Sequence, residues 1–294
     1  MTKTQSLSIV SRMHVGIFAP TTDYAAPTHQ LARACEARDF ESFWVPEHTH
    51  IPTSRRSPFP GGGDLPREYS HLNDPFVMLA AAAAVTERIK LGTGISLVNE
   101  RDPIIQAKEV ASLDRLSKGR FLFGVGAGWN EEEMQNHGTD PKTRWASLGE
   151  RVQAMKQIWT QEQAEFHGRF VNFDPLWSWP KPVQKPHPPI LLGVSTPRGR
   201  QRVVEAYDGW IPIGLSTQQL KEGIADLQRR AREYGRDPAT IEVSFFWPRP
   251  EHDALARLRD LGVKRAVIAV PATDDMGKLE ARLDRYAELA RSVA

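Results

Sequence analysis

Short runs of apolar, β-branched and aromatic residues alternate along this chain with longer stretches in which apolar positions recur every three or four residues. The runs fall at 15–18, 43–45, 89–95, 121–125, 190–194, 210–213, 241–246 and 266–270. Most lack polar alternation, the pattern of parallel strands covered on both faces. Between them, Leu220, Ile224, Leu227, Ala231 and Tyr234 form one helical stripe, and Leu279, Leu283 and Tyr286 another. Asp102-Pro103 opens a helix running through Val110, Leu113 and Leu116, and Gly119 closes it.

Eight strands, each followed by a helix, in 294 residues is the count of one (β/α)8 TIM barrel. A doubly wound open sheet is the rival, because periodicity carries no strand order. No break in composition marks a second domain, so residues 1–294 read as a single one. Three segments exceed ordinary connectors: 47–72 after strand two, 129–145 after strand four and 161–189 before strand five. In a barrel, loops that follow strands surround the active-site mouth, so the first two insertions belong to the functional face. The third enters from the opposite end unless it folds across, and its aromatics read most simply as a hairpin and cap.

Composition narrows the chemistry. With 40% hydrophobic and 25% charged residues the chain is globular. No apolar run approaches the ~20 residues needed to cross a bilayer. Lys3, Ser6, Ser8, Ser11 and Arg12 leave no apolar core for a secretory signal. A lone cysteine, Cys35, excludes an internal disulfide and reads as core. The net charge of +2 comes from dispersed side chains, which argues against nucleic acid as the main ligand. A cytoplasmic protein with a small-molecule substrate, and no membrane or nucleic-acid partner, is the expectation.

Four clusters at strand ends could carry chemistry. Glu47-His48-Thr49-His50 ends strand two, where a carboxylate and an imidazole can act as acid, base or hydrogen-bond partners to a cofactor ring. A zinc site would need further ligands at other strand ends, and Ser96, Gly126, Ser195 and Gly214 offer none, so no metal is expected. Loop packing accounts for the two histidines equally simply. The G-x-G-x-G stretch Gly124 to Gly128, leading into Trp129 and Asn130, lets backbone approach a flat ring or a phosphate, and tight barrel packing explains glycine just as well. Glu131-Glu132-Glu133 beyond it read as a solvated helix start. Gly193-Val194-Ser195-Thr196 leads into a helix and suits either an anion or a plain N-cap. Gly92-Thr93-Gly94-Ile95-Ser96 ends strand three, where glycine marks close approach or a kink.

Together these stretches resemble the bacterial-luciferase-like superfamily, and within it the branch of coenzyme F420-dependent oxidoreductases. The likeness is carried by Trp44 through Pro52, Asp74-Pro75, Leu91 through Gly94, Arg101 through Ile104, Ala107-Lys108 and Leu113 through Ser117. It continues through Gly119-Arg120, Gly124 through Asn130 with Glu133, Pro180 through Ile190 and Asp208 through Trp210.

The resemblance implies a (β/α)8 barrel with a deazaflavin across its mouth. Glu47 and His48 would face the ring, His48 as proton donor or acceptor and Glu47 orienting it or bonding the ring. A non-proline cis peptide near Gly94-Ile95 would buttress the ring, with Ser96 beside it. Gly126, Gly128, Trp129 and Asn130 would line the pocket, and Gly193, Val194, Ser195 and Thr196 would meet the tail or its phosphate. In relatives that oxidise sugar phosphates a catalytic glutamate follows the glycine stretch directly, and this chain has Trp129 there instead, which departs from that substrate class. Hydride transfer between the deazaflavin C5 and an organic substrate is therefore the expected reaction. An FMN-dependent monooxygenase using molecular oxygen and a deazaflavin-binding barrel without turnover are the alternatives. By the same resemblance the expected assembly is a homodimer.

Overall fold

The computed structural model describes residues 12–293, so the reading of the N-terminal segment through Ser11 lies outside the described residues. The first half runs β1 (His14–Phe18), α1 (Thr28–Glu36), β2 (Ser42–Val45), α2 (Pro75–Val85), β3 (Lys90–Thr93), β4 (Ser96–Leu97), α3 (Pro103–Leu116), β5 (Phe121–Gly126), α4 (Glu131–Asn136) and α5 (Arg144–Thr160). The second half runs β6 (Ala164–His167), β7 (Asn172–Leu176), β8 (Ile190–Gly193), α6 (Pro197–Ala206), β9 (Gly209–Ile211), α7 (Thr217–Glu233), β10 (Glu242–Phe246), α8 (His252–Asp260), β11 (Arg265–Ala269) and α9 (Met276–Val293).

Parallel pairing in the order β3-β2-β1-β11-β10-β9-β8-β5 closes because β3 also pairs with β5. The sheet is therefore a closed eight-stranded barrel ringed by helices. Strand three, expected as one run over 89–95, is instead two pieces. A cis Gly94–Ile95 peptide separates β3 from β4, and β4 continues the same stave against β5.

Several helices start on an acceptor side chain followed by proline. Asp74 precedes Pro75, Asp102 precedes Pro103 and Thr196 precedes Pro197, and each cap accepts first-turn backbone N–H groups. The α7 stripe packs through Leu220, Ile224, Leu227 and Ala231, whereas Tyr234 lies past the helix end and is exposed, so the expected stripe stops one position early. Cys35 is fully buried in α1.

Strand residues alternate between two apolar layers, as the two-residue period dictates. Ile17, Phe43, Phe121, Phe123, Ile190 and Leu192 face the helices. Phe18, Trp44, Leu122, Leu191, Ile211, Phe246 and Val267 fill the barrel. Below them, at the N-terminal strand ends, fully buried Arg265 donates from Nε and Nη2 to both oxygens of Glu41 (2.6 and 2.7 Å) and from Nη1 to Ser244 Oγ at 2.9 Å. Lys90 adds a second cation 3.0 Å from Glu41.

The segment before β8 folds as an antiparallel β6–β7 hairpin, as its pattern suggests. Its tip turns back across α5, where Glu150 accepts from Phe170 N at 2.6 Å. The tip then lines a cavity of about 370 Å³ together with Asn99, Glu100, Arg101 and His137. The hairpin thus does fold across to the side of the mouth.

Candidate active site

The mouth has an apolar floor. Ile95, Ile213 and Ala269 cap the barrel filling and remain partly open. Ile95 lies over the ends of β5 and β8: a Cβ on Gly126 would come within 1.9 Å of Ile95 Cδ1, and one on Gly193 within 3.0 Å. The glycines at these two positions thus seat the Ile95 side chain. The mouth gains a continuous hydrocarbon surface from it, rather than an open backbone.

Glu47 emerges from β2 into the interior, 3% exposed. Its Oε2 accepts from Ser96 Oγ at 2.6 Å and from Leu97 N at 2.7 Å, and its Oε1 accepts from Arg101 Nε. Arg101 also pairs with Asp74 and Glu109. Glu47 therefore pins the chain just after the cis peptide and does not bond His48. The expectation that Glu47 orients the imidazole is corrected here.

That role falls to Glu133. His48 Nδ1 donates to Glu133 Oε2 at 2.7 Å, and Trp129 Nε1 donates to His48 Nε2 at 3.2 Å. An indole N–H can only donate, so Nε2 carries the lone pair and Nδ1 the proton. The donor and acceptor roles thus assign a neutral imidazole with a defined tautomer. Glu133 also accepts from Thr49 N at 3.0 Å and is fully buried. Its own N–H donates to Asn130 Oδ1, so Asn130 serves as the N-cap of α4. The three glutamates expected as a solvated helix start are corrected accordingly: Glu132 and Glu133 are buried partners of other loops.

Glu132 holds the first insertion. It accepts from Ser54 Oγ at 2.8 Å, Arg56 N at 2.7 Å and Ser57 N at 3.0 Å. Burial alone would raise this carboxyl, yet the donors from Ser57, Ser54 and Arg56 lower it to about 2. Tied down this way, the insertion packs Phe59 and Tyr69 edge-on to Trp129, and Tyr69 also lies 5.3 Å from the His48 ring. Gly128, with φ of +81°, turns the chain so that Trp129 reaches this cluster.

On the opposite rim, Val194 is buried in the helix-facing layer. Ser195 Oγ donates to Ile213 O at 2.5 Å and accepts from Ile213 N at 3.1 Å. Thr196 caps Gly199 N at 3.1 Å. Both hydroxyls thus take the plain structural roles, leaving the N-terminus of α6 and the exposed Arg198 of its first turn as the anion-favouring feature there. Near the other rim, Thr49 Oγ1 lies 2.8 Å from His137 Nε2 and 2.9 Å from His50 Nδ1. Among the described residues, no three His, Cys, Asp or Glu side chains gather into a metal-binding group.

Three residues at or beside the mouth escaped the sequence reading. Trp247 follows β10 with φ of +60° and stands edge-on to Phe18 at 5.5 Å, 45% exposed. Glu100 is 8% exposed, and Tyr69 comes from the irregular insertion. Glu133 was legible only as one of the residues that carry the family resemblance.

Fold and site together define a flat-bottomed apolar mouth on a (β/α)8 barrel, edged by a buried histidine–glutamate pair. The chain matches the family described as luciferase-like monooxygenase over residues 11–291, and it belongs to that family of oxidoreductases. An uncharacterized protein of Mycobacterium tuberculosis is 41% identical over 279 residues, 92% of this chain and 97% of that one. An FMNH(2)-dependent dimethylsulfone monooxygenase of Pseudomonas putida is 32% identical over 169 residues, 56% of this chain and 46% of its own length. The fold also matches an F420-dependent secondary alcohol dehydrogenase solved with an F420-acetone adduct, with a TM-score of 0.77, 18% identity, and coverage of 96% of this chain and 99% of that one.

Proposed function

We propose that this protein is a coenzyme F420-dependent oxidoreductase acting on a small organic substrate. The observation that carries the reading is the His48–Glu133 pair beside the hydrocarbon floor of Ile95, Ile213 and Ala269. That floor suits one face of a planar tricyclic ring, and the rim places an imidazole at its edge. When bound, the deazaflavin supplies hydride transfer at its C5.

The protein residues do the rest. Glu133 holds the imidazole by Nδ1, leaving Nε2 to accept or return a proton at the substrate, once the Trp129 N–H that now occupies it moves aside. Glu47, through Ser96 and Leu97, keeps Ile95 in position as the floor. Phe59, Tyr69 and Trp129 exclude water from the proton-transfer site. The N-terminus of α6 with Arg198 is our assignment for the phosphate of the cofactor tail.

A second reading, an FMN-dependent monooxygenase, draws on the partial relation to the dimethylsulfone enzyme. Side-by-side equilibrium titration with coenzyme F420 and FMN separates the two. Tighter F420 binding, with reduced F420 oxidised only when an organic acceptor is added, supports the proposal. Tighter FMN binding with oxygen consumption by the reduced holoenzyme overturns it.

A further inference from the structure

Glu100 is a carboxyl that the chemistry above does not use. It sits just beyond β4, 92% buried by its 8% exposure, and among the described residues no hydrogen-bond donor reaches either of its oxygens. The turn that ends in Glu100 packs against α4, which carries Glu133, the residue that holds His48. Two neighbouring carboxyls buried this deeply do not both stay ionised, so one of them carries a proton. Glu133 already accepts from His48 Nδ1 and Thr49 N, whereas among the described residues no donor reaches Glu100. The proton therefore resides on Glu100, which then donates to Glu133.

The surroundings agree. Burial first, then the neighbouring charges of Glu133 and Glu47, push the Glu100 carboxyl up to about 10, with Arg101 opposing. The Arg101 guanidinium is already engaged by Glu47, Asp74 and Glu109. The charged or titratable groups facing Glu100 are thus Glu133 from α4, Glu47 from the end of β2 and Arg101 beside it. Asp102, Arg151 and His137 face the adjoining cavity. That cavity, about 370 Å³ under the β6–β7 hairpin, is wide enough to hold water against Glu100.

We infer that Glu100 and Glu133 form a proton relay that connects His48 to water in the cavity beneath the hairpin. As His48 Nε2 takes a proton, its Nδ1 proton passes to the Glu133–Glu100 pair, and one proton leaves Glu100 for cavity water. The pair holds one proton before and after, and the imidazole ends neutral with its proton on Nε2. The reverse sequence delivers a proton outward from Nε2. This inference rests on His48 as the proton-handling group, but the protonated Glu100 does not depend on which cofactor binds.

The test uses the full-length protein without cofactor. Infrared spectroscopy with ¹³C-labelled glutamate at neutral pH reads the C=O stretch of a protonated carboxyl. The expected result is one such band in the wild type, lost in E100Q and shifted in frequency in E133Q. Nitrogen-15 NMR of the His48 ring is the second readout. E100Q preserves the donor shape, so the His48 shifts stay in place while exchange of the Nδ1 proton with solvent slows, and E100D restores that exchange. The absence of the band in the wild type, or its persistence in E100Q, overturns the protonated pair. Unchanged His48 proton exchange in E100Q overturns the relay. Failure of F420 binding alone would leave these outcomes untouched and would remove only the cofactor assignment.

Discussion

The two ends of this barrel both bury ionic groups, but with opposite balance. At the N-terminal end, Arg265 and Lys90 face Glu41 and Glu242, two cations against two anions. Burial alone would raise Glu41, yet its hydrogen bonds and charge pairing with Arg265 hold it well below the usual carboxylate range. At the C-terminal end, Arg101 faces Glu47, Asp74 and Glu109, and Glu100 and Glu133 add two further carboxyls. One end is neutralised and closes the cylinder. The other keeps a surplus of carboxyls that only a proton can relieve, and that surplus sits against His48 at the edge of the mouth. Charge balance thus separates the end built for stability from the end built for chemistry.

The sharpest way to break this contrast is at the base. R265M leaves Glu41 with Lys90 as its remaining cation and is expected to cost about 3 kcal/mol in urea unfolding, with little change in cofactor affinity. A loss below 1 kcal/mol would deny that end its structural role. At the mouth the pattern inverts. H48A is expected to lower turnover roughly 10²-fold while F420 affinity stays near wild type, measured with reduced F420 and an accepted substrate. Full turnover in H48A would remove the histidine from the chemistry.

Glu100 gives a smaller effect with a diagnostic sign. Its folded-state value lies above the unfolded one, so the native state binds more protons between about pH 4.5 and 10 and loses stability as pH rises through that window. E100Q removes this penalty. It is expected to stabilise the protein by about 1–3 kcal/mol at pH 8, with the gain vanishing below about pH 4, as read by thermal melts across pH. A pH-independent difference would contradict a protonated Glu100. Exposed Trp177 sets the lower bound: W177S is expected to shift stability by less than about 0.5 kcal/mol.

The strands, their number and the two mouth insertions were legible in the sequence because buried parallel strands leave uninterrupted apolar runs. His48 was legible because it follows such a run directly. The partners were not. Glu133 lies 85 residues from His48, and nothing local distinguishes it from Glu131, which stays solvent-facing on the same short helix. Glu47 and His48 are adjacent in sequence, yet the two side chains diverge, one bonding Ser96 and Leu97 and the other Glu133. The hydroxyls of Ser195 and Thr196 looked equally suited to a ligand or to the fold, and only the contacts to Ile213 and Gly199 assign them to the fold. The break in strand three hides in a Gly-Ile pair that periodicity treats as continuous strand.

The most direct measurement is a crystal structure of the protein with coenzyme F420. The account predicts the ring lying on Ile95, Ile213 and Ala269, with His48 Nε2 turned to its reacting edge and still held from behind by Glu133. A ring bound elsewhere on the barrel, or a His48 that remains sealed beneath Trp129 with the cofactor in place, would contradict it.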